Sequence, residues 1–129
     1  MLVTERYLSG ERWRRTLKTL IDAYRSRRDA MLEALAEHFP PESTWTRPAG
    51  GFYVWVTLPR WVDTQTMLAA AVERRVAYVP GTAFYPEGRG TNQMRLAFCF
   101  PTVDRIREGV ARLGSLLSDE AELYRSLHP

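Results

Sequence analysis

Between Glu11 and about Phe39 the apolar residues Trp13, Leu17, Leu20, Ile21, Tyr24, Met31, Leu32 and Leu35 recur every three or four positions, with no Gly or Pro among them. That spacing keeps them on one side of a helix. The spacing therefore predicts one long helix, about 43 Å at 1.5 Å per residue. A small domain needs less, so the helix is expected to extend beyond the body of this chain. Arg27 and Arg28 interrupt the stripe midway, and Pro40-Pro41 ends it, because proline lacks the backbone donor and clashes with the preceding turn.

The period then changes. Gly50 to Thr57, "GGFYVWVT", is a nearly continuous aromatic and β-branched run bounded by Gly-Gly and Pro59, the pattern of a strand covered on both faces. Asp63 or Thr64 can cap a helix with Met67, Leu68, Ala71 and Val72 on one side. Val76 to Val79 reads as a short strand stopped by Pro80-Gly81, and Tyr85 to Gln93 as an exposed loop of turn formers. Thr102 can cap a last helix lined by Ile106, Val110, Leu113 and Leu117, with Asp104 in its first turn and a weakly specified tail from about Ser118. The expected fold is α+β, two layers, with helices covering a small and mostly antiparallel sheet behind a long N-terminal helix.

One strand poses a question. In Met94 to Phe100, "MRLAFCF", alternation puts Met94, Leu96, Phe98 and Phe100 on a core face and Arg95, Ala97 and Cys99 on the other. A single guanidinium among small residues on a shallow floor is how an anion site can look. Alternation alone leaves open an edge-strand arginine in a structural ion pair.

Composition narrows the classes. The chain has 129 residues, 45% hydrophobic and 12% aromatic, which is enough for one domain with a core. Net charge is +3, from seventeen Arg and one Lys against 15 acidic residues, with no dense basic block. Such charge mostly solvates helix faces. The single cysteine excludes an internal disulfide framework, and the first ten residues lack the basic start and apolar run of a signal peptide. The expectation is a cytoplasmic protein with no membrane partner.

Candidate chemistries thin out quickly. His38 and His128 have no matching ligand cluster, so metal is not expected. Cys99 has no histidine near it in sequence to serve as a base. "GTAFYPEGRG" matches neither glycine-rich phosphate motif, which removes nucleotide binding. A basic aromatic RNA-binding module is the rival from another class, since Tyr53 and Trp55 share a strand face and could stack bases. Against it, a long helix precedes the first strand and the aromatic strand lacks a basic lead residue, so no nucleic-acid partner is expected.

Arg47 to Pro59 ("RPAGGFYVWVTLP"), Val76 to Tyr85 ("VAYVPGTAFY") and Asn92 to Phe100 ("NQMRLAFCF") stand in the order and at the separations of the C-terminal small domain of class I/II, fold-type I pyridoxal-phosphate-dependent aminotransferases. Tyr24 to Leu35 ("YRSRRDAMLEAL") resembles the long helix that joins the two domains of those enzymes. The resemblance covers roughly residues 10 to 117. It implies that residues 1–129 form the small domain, with the interdomain helix at about 11–39. It implies too that Arg95 pairs with the substrate α-carboxylate, and that Gly50, Gly51, Phe84 and Tyr85 lie in or near an active-site loop.

By the same resemblance the parent is an enzyme that uses pyridoxal 5'-phosphate, takes amino-acid and 2-oxo-acid substrates and forms a homodimer. The Schiff-base lysine and most cofactor contacts would then lie upstream, in a large domain that this chain lacks. Lys18, the sole lysine, sits on the polar side of the long helix among Arg14, Arg15 and Thr19. No catalytic residue and no specific cofactor binding are therefore expected of this chain alone. The same C-terminal pattern also occurs in transcription regulators that use an aminotransferase-like domain to sense an effector, which is the alternative function. In one respect the chain departs from the pattern: Arg75 stands where the family usually closes a helix with glycine, so it must adopt a left-handed backbone or end the helix differently.

Overall fold

The computed structural model describes residues 10–48, 50–98 and 101–128. Helix α1 runs over Glu11–His38 and, as the pattern requires, stops against Pro40-Pro41. A two-residue strand that the sequence does not announce, β1 (Thr44–Trp45), leads into β2 (Tyr53–Thr57). Helix α2 (Thr64–Glu73) starts at Asp63, whose carboxylate accepts hydrogen bonds from the backbone N–H groups of Gln65 and Thr66. The short β3 (Val79–Pro80), two single 3₁₀ turns, β4 (Gln93–Ala97) and α3 (Val103–Leu127) complete the chain. Thr102 caps α3 by accepting from the Arg105 N–H.

The strands pair antiparallel in the order β1-β2-β4-β3, and the register sets Trp55 opposite Arg95 and Val79 on its other side. This is the expected α+β fold. One hydrophobic cluster joins the sheet to the helices: Val54, Val56, Met94, Leu96 and Phe98 from the sheet meet Met31 and Leu35 of α1, Met67 and Ala71 of α2, and Ile106, Val110, Leu113 and Leu117 of α3. Gly114 lets α3 reach the end of α1, since a Cβ there would stand 2.4 Å from the His38 carbonyl oxygen.

Four expectations on the elements need correction. Strand β2 begins at Tyr53 rather than Gly50, and it is covered on one face only. Val54 and Val56 are fully buried, Tyr53 is 45% exposed, and Trp55 and Thr57 are half-buried. Residues 76–78 are not strand, because Val76 closes helix α2 and Tyr78 turns its hydroxyl to the Thr64 carbonyl at 2.6 Å. Finally, α3 does not weaken at Ser118. Arg74 holds Asp119 at 2.7 Å, and Tyr124 stacks on Trp61 at 5.4 Å and on His128 at 4.2 Å.

Arg75 takes the first of its two options. Its φ is 62°, in the left-handed region, and the helix end closes with Arg75 N–H donating to Val72 O and Val76 N–H to Ala71 O. A side chain in that conformation costs roughly 1–2 kcal/mol relative to the right-handed one.

Candidate carboxylate site

The outer face of the sheet carries Tyr53, Trp55 and Thr57 from β2 beside Gln93, Arg95 and Ala97 from β4, because the pleat sends alternate residues to one side. The Tyr53 ring centroid lies 4.0 Å from the Arg95 guanidinium carbon, and that of Phe84 lies 4.7 Å away. Trp55 packs edge-on against Phe84 at 5.3 Å and Tyr85 at 6.0 Å. The 3₁₀ turn Gly81–Ala83 delivers Phe84 and Tyr85 to this face. Below Arg95 a hollow of about 180 Å³ is lined by Tyr53, Ala77, Tyr78, Val79, Arg95 and Ala97.

Arg95 is half-buried, and its Nε is buried with no hydrogen-bond partner. Among the described residues no carboxylate pairs with it. The two rings keep water off the faces of the guanidinium and attract its charge, but a ring supplies no acceptor in the guanidinium plane. A desolvated donor left without an acceptor is costly, and a carboxylate is the acceptor a planar fork fits best. The structural ion pair that alternation left open is absent among the described residues.

Of the residues singled out from the sequence, Arg95, Phe84 and Tyr85 come together here. Gly50 and Gly51 lie before β2, and a Cβ added to either would meet nothing within 4 Å, so within this chain neither position needs glycine for space. Gly51 accepts the Tyr24 hydroxyl at 2.6 Å instead, tying α1 to the start of the sheet. Cys99 and Phe100 lie outside the described residues. Tyr53 lies against Arg95 here, although the sequence had offered it only as a base-stacking ring of the RNA-binding reading. Alternation had placed it with Trp55 on one face, and the missing signal was the β2–β4 register that sets that face beside Arg95.

Among the described residues, no group of His, Cys, Asp and Glu could hold a metal ion, and no helix is long and apolar enough to cross a membrane. Lys18 stands on a stretch of α1 that is exposed throughout from Glu11 to Asp22. Among the described residues the outer face thus offers one guanidinium with an open acceptor position and no lysine.

No family model matches the chain. It is 42% identical over 119 residues to the Aromatic-amino-acid aminotransferase 1 of Thermococcus litoralis, covering 92% of this chain and 28% of that protein. Among solved structures, the Pyrococcus horikoshii kynurenine aminotransferase in complex with PMP superposes with a TM-score of 0.78 at 43% identity, over 89% of this chain and 28% of that one. LysN, the α-aminoadipate aminotransferase of Thermus thermophilus complexed with N-(5'-phosphopyridoxyl)-L-leucine, gives 0.78 at 37% identity, over 88% and 29%. The chain belongs to the fold-type I, pyridoxal-phosphate-dependent aminotransferases and corresponds to their C-terminal small domain. It spans under a third of the length of these relatives. A weaker match, 30% identical over 62% of this chain and 17% of the relative, is an uncharacterized HTH-type transcriptional regulator, YjiR of Escherichia coli.

Proposed function

We propose that the protein carrying this chain is a pyridoxal-phosphate-dependent aminotransferase, moving an amino group between an amino acid and a 2-oxo acid, in which Arg95 binds the substrate α-carboxylate. The observation that supports this most is the half-buried guanidinium, ringed by Tyr53 and Phe84 and lacking an acceptor for its Nε. Bound pyridoxal phosphate supplies the electron sink for chemistry at the substrate α-carbon. Arg95 fixes which way the amino acid lies by taking its carboxylate through two parallel hydrogen bonds. Tyr53 and Phe84 hold the guanidinium plane, which restricts where that carboxylate can sit. The lysine that anchors the cofactor would come from a larger domain of the same protein, with α1 as the connection to it. The chain alone is then inactive, and the parent is a cytoplasmic homodimer.

Arg95→Ala in the protein that carries this chain removes one partner of a desolvated ion pair, typically a loss of about 2–5 kcal/mol. kcat/KM for amino-acid substrates should fall at least about thirtyfold, while bound cofactor absorbance is retained. Arg95→Lys keeps the charge but not the fork, and should recover only part of the loss. Unchanged kinetics in Arg95→Ala would return Arg95 to a packing role.

The match to a transcription regulator favours a second reading, in which the same site senses an amino acid without turning it over. Saturable amino-acid binding that needs Arg95 but yields no 2-oxo acid would select it.

A further inference from the structure

Where α2 ends and α3 begins, the chain builds a second charged hollow. Arg75, Arg105 and Arg112, with Glu108 and Gly109, line a cleft of about 340 Å³. It adjoins another of about 270 Å³, and Arg75, Arg105 and Gly109 line both. The second is mixed: beside the two arginines it is walled by the accessible Val76, Ala77, Ala97 and Pro101, over the buried Ile106 and Val110.

The charges are unequally committed. Arg112 pairs with Glu108 one turn away and donates to the Arg74 carbonyl. The side chains of Arg75 and Arg105 have no ion pair or hydrogen bond among the described residues. Two exposed guanidiniums without a partner among the described residues therefore border both clefts.

Two backbone features converge on the same place. Arg75 holds the left-handed conformation that glycine adopts without penalty. Gly109 stands inside helix α3, where alanine would be favoured, and a Cβ there would meet nothing within 4 Å. At each position the residue present is the less stable choice for the local backbone, and no contact among the described residues explains either. Both line the shared part of the two clefts. Of the two, only Arg75 has a strained backbone, and strain at the mouth of a cleft is a reason to test for function there.

We propose that this double cleft binds a small phosphomonoester with an apolar substituent. A monoester phosphate carries close to two negative charges at neutral pH, which matches the two free guanidiniums. Its substituent would lie over Gly109 on the Val76, Ala77 and Pro101 wall. The cleft adjoins the hollow below Arg95 through Ala77 and Ala97 but does not include Arg95, and an Arg95 variant separates the two.

Phenyl phosphate titrated into the protein that carries this chain, followed by calorimetry and amide chemical shifts, tests this. Saturable binding is expected, with shifts centred on Arg75, Arg105 and Gly109, and at least about fivefold tighter than for inorganic phosphate, because only the ester reaches the apolar wall. Arg105→Gln should weaken it at least about fivefold. Arg107→Gln, an exposed arginine of α3 that pairs with Glu33, should leave it unchanged. The decisive variant is Arg75→Gly, which should raise the melting temperature and lower the affinity together. A purely structural Arg75 would move only the first. Absence of saturable binding, binding that survives Arg75→Gly, or binding lost in Arg95→Gln instead would overturn the proposal.

Discussion

The two halves of α1 carry the same kinds of residue and end differently. Ala30, Met31, Ala34 and Leu35 are at most 3% exposed against the sheet and α3, whereas Trp13, Leu17, Leu20 and Ile21 are 38–59% exposed. The sheet repeats the contrast across its thickness. Val54, Val56, Met94 and Phe98 are fully buried on the inner face, and Tyr53 is 45% exposed on the outer one. Apolar patterning in this chain thus runs past what the chain can cover by itself. The closed half holds the fold, and the open half carries the groups with unspent binding capacity, Arg95 first among them. In the proposed enzyme those open surfaces are where the larger domain and the substrate meet this one.

The contrast is sharpest at Leu35, which is 0% exposed in the closed half. Leu35→Ala removes buried methyl groups and leaves a cavity, a change that costs about 2–5 kcal/mol. That is a large share of the stability of a domain this size. Denaturant unfolding should show the midpoint falling with little change in slope. A loss below about 1 kcal/mol would mean that α1 is not held by this core.

How much of this could be read from sequence depended on the range of the interaction. Signals within one turn served well: the helical period and Pro40-Pro41 bounded α1, Thr102 announced the cap of α3, and of the two candidates for α2, Asp63 and Thr64, the structure uses Asp63. Alternation gave the inner face of β4 correctly for Met94 and Leu96, and Phe98, just past the end of the strand at Ala97, is buried on the same side. What it lacked was pairing. β1 exists because Thr44 and Trp45 find Thr57 and Val56, and α3 extends to Leu127 because Trp61 and Asp119 find partners far away in sequence. Val76–Tyr78 looked like strand because its residues suit one. The backbone there is spent on closing α2, and Pro80 has no N–H to lengthen the ladder. For the site, the family blocks pointed to Arg95, and Tyr53 became visible only with the register.

The closed side also contains a titratable group whose behaviour separates it from the open side. Burial raises the Tyr78 hydroxyl well above its ordinary range, and the nearby Asp63 and Glu120 carboxylates push the same way. In the unfolded chain a tyrosine ionises near pH 10. Below that pH both states keep the proton, and the contribution of Tyr78 is constant. As pH rises past about 10 the unfolded state loses its proton first, so stability falls, by up to about 1.4 kcal/mol per pH unit. Tyr78→Phe should cost about 1 kcal/mol at neutral pH, for the hydrogen bond to Thr64 O, and should flatten this alkaline decline. An equally steep decline in the variant would assign it to other groups.

The smallest effect is expected in the open half of α1. Leu20 is 59% exposed, and no residue from Glu11 to Asp22 is buried. Leu20→Ala removes no packed contact and exchanges one good helix former for a better one, so stability should change by less than about 0.5 kcal/mol. Helical hydrogen bonds without tertiary packing open locally. Amides near Leu17 to Ile21 should therefore exchange much faster than those near Leu32 to His38, although all belong to one continuous helix. Sequence type would then matter less than cover: leucine at position 20 and leucine at position 35 differ only in whether this chain supplies the other side. Equal protection along α1, or a loss at Leu20 approaching that at Leu35, would show that the first half is already packed in solution and would remove the contrast from which the two-domain reading draws support.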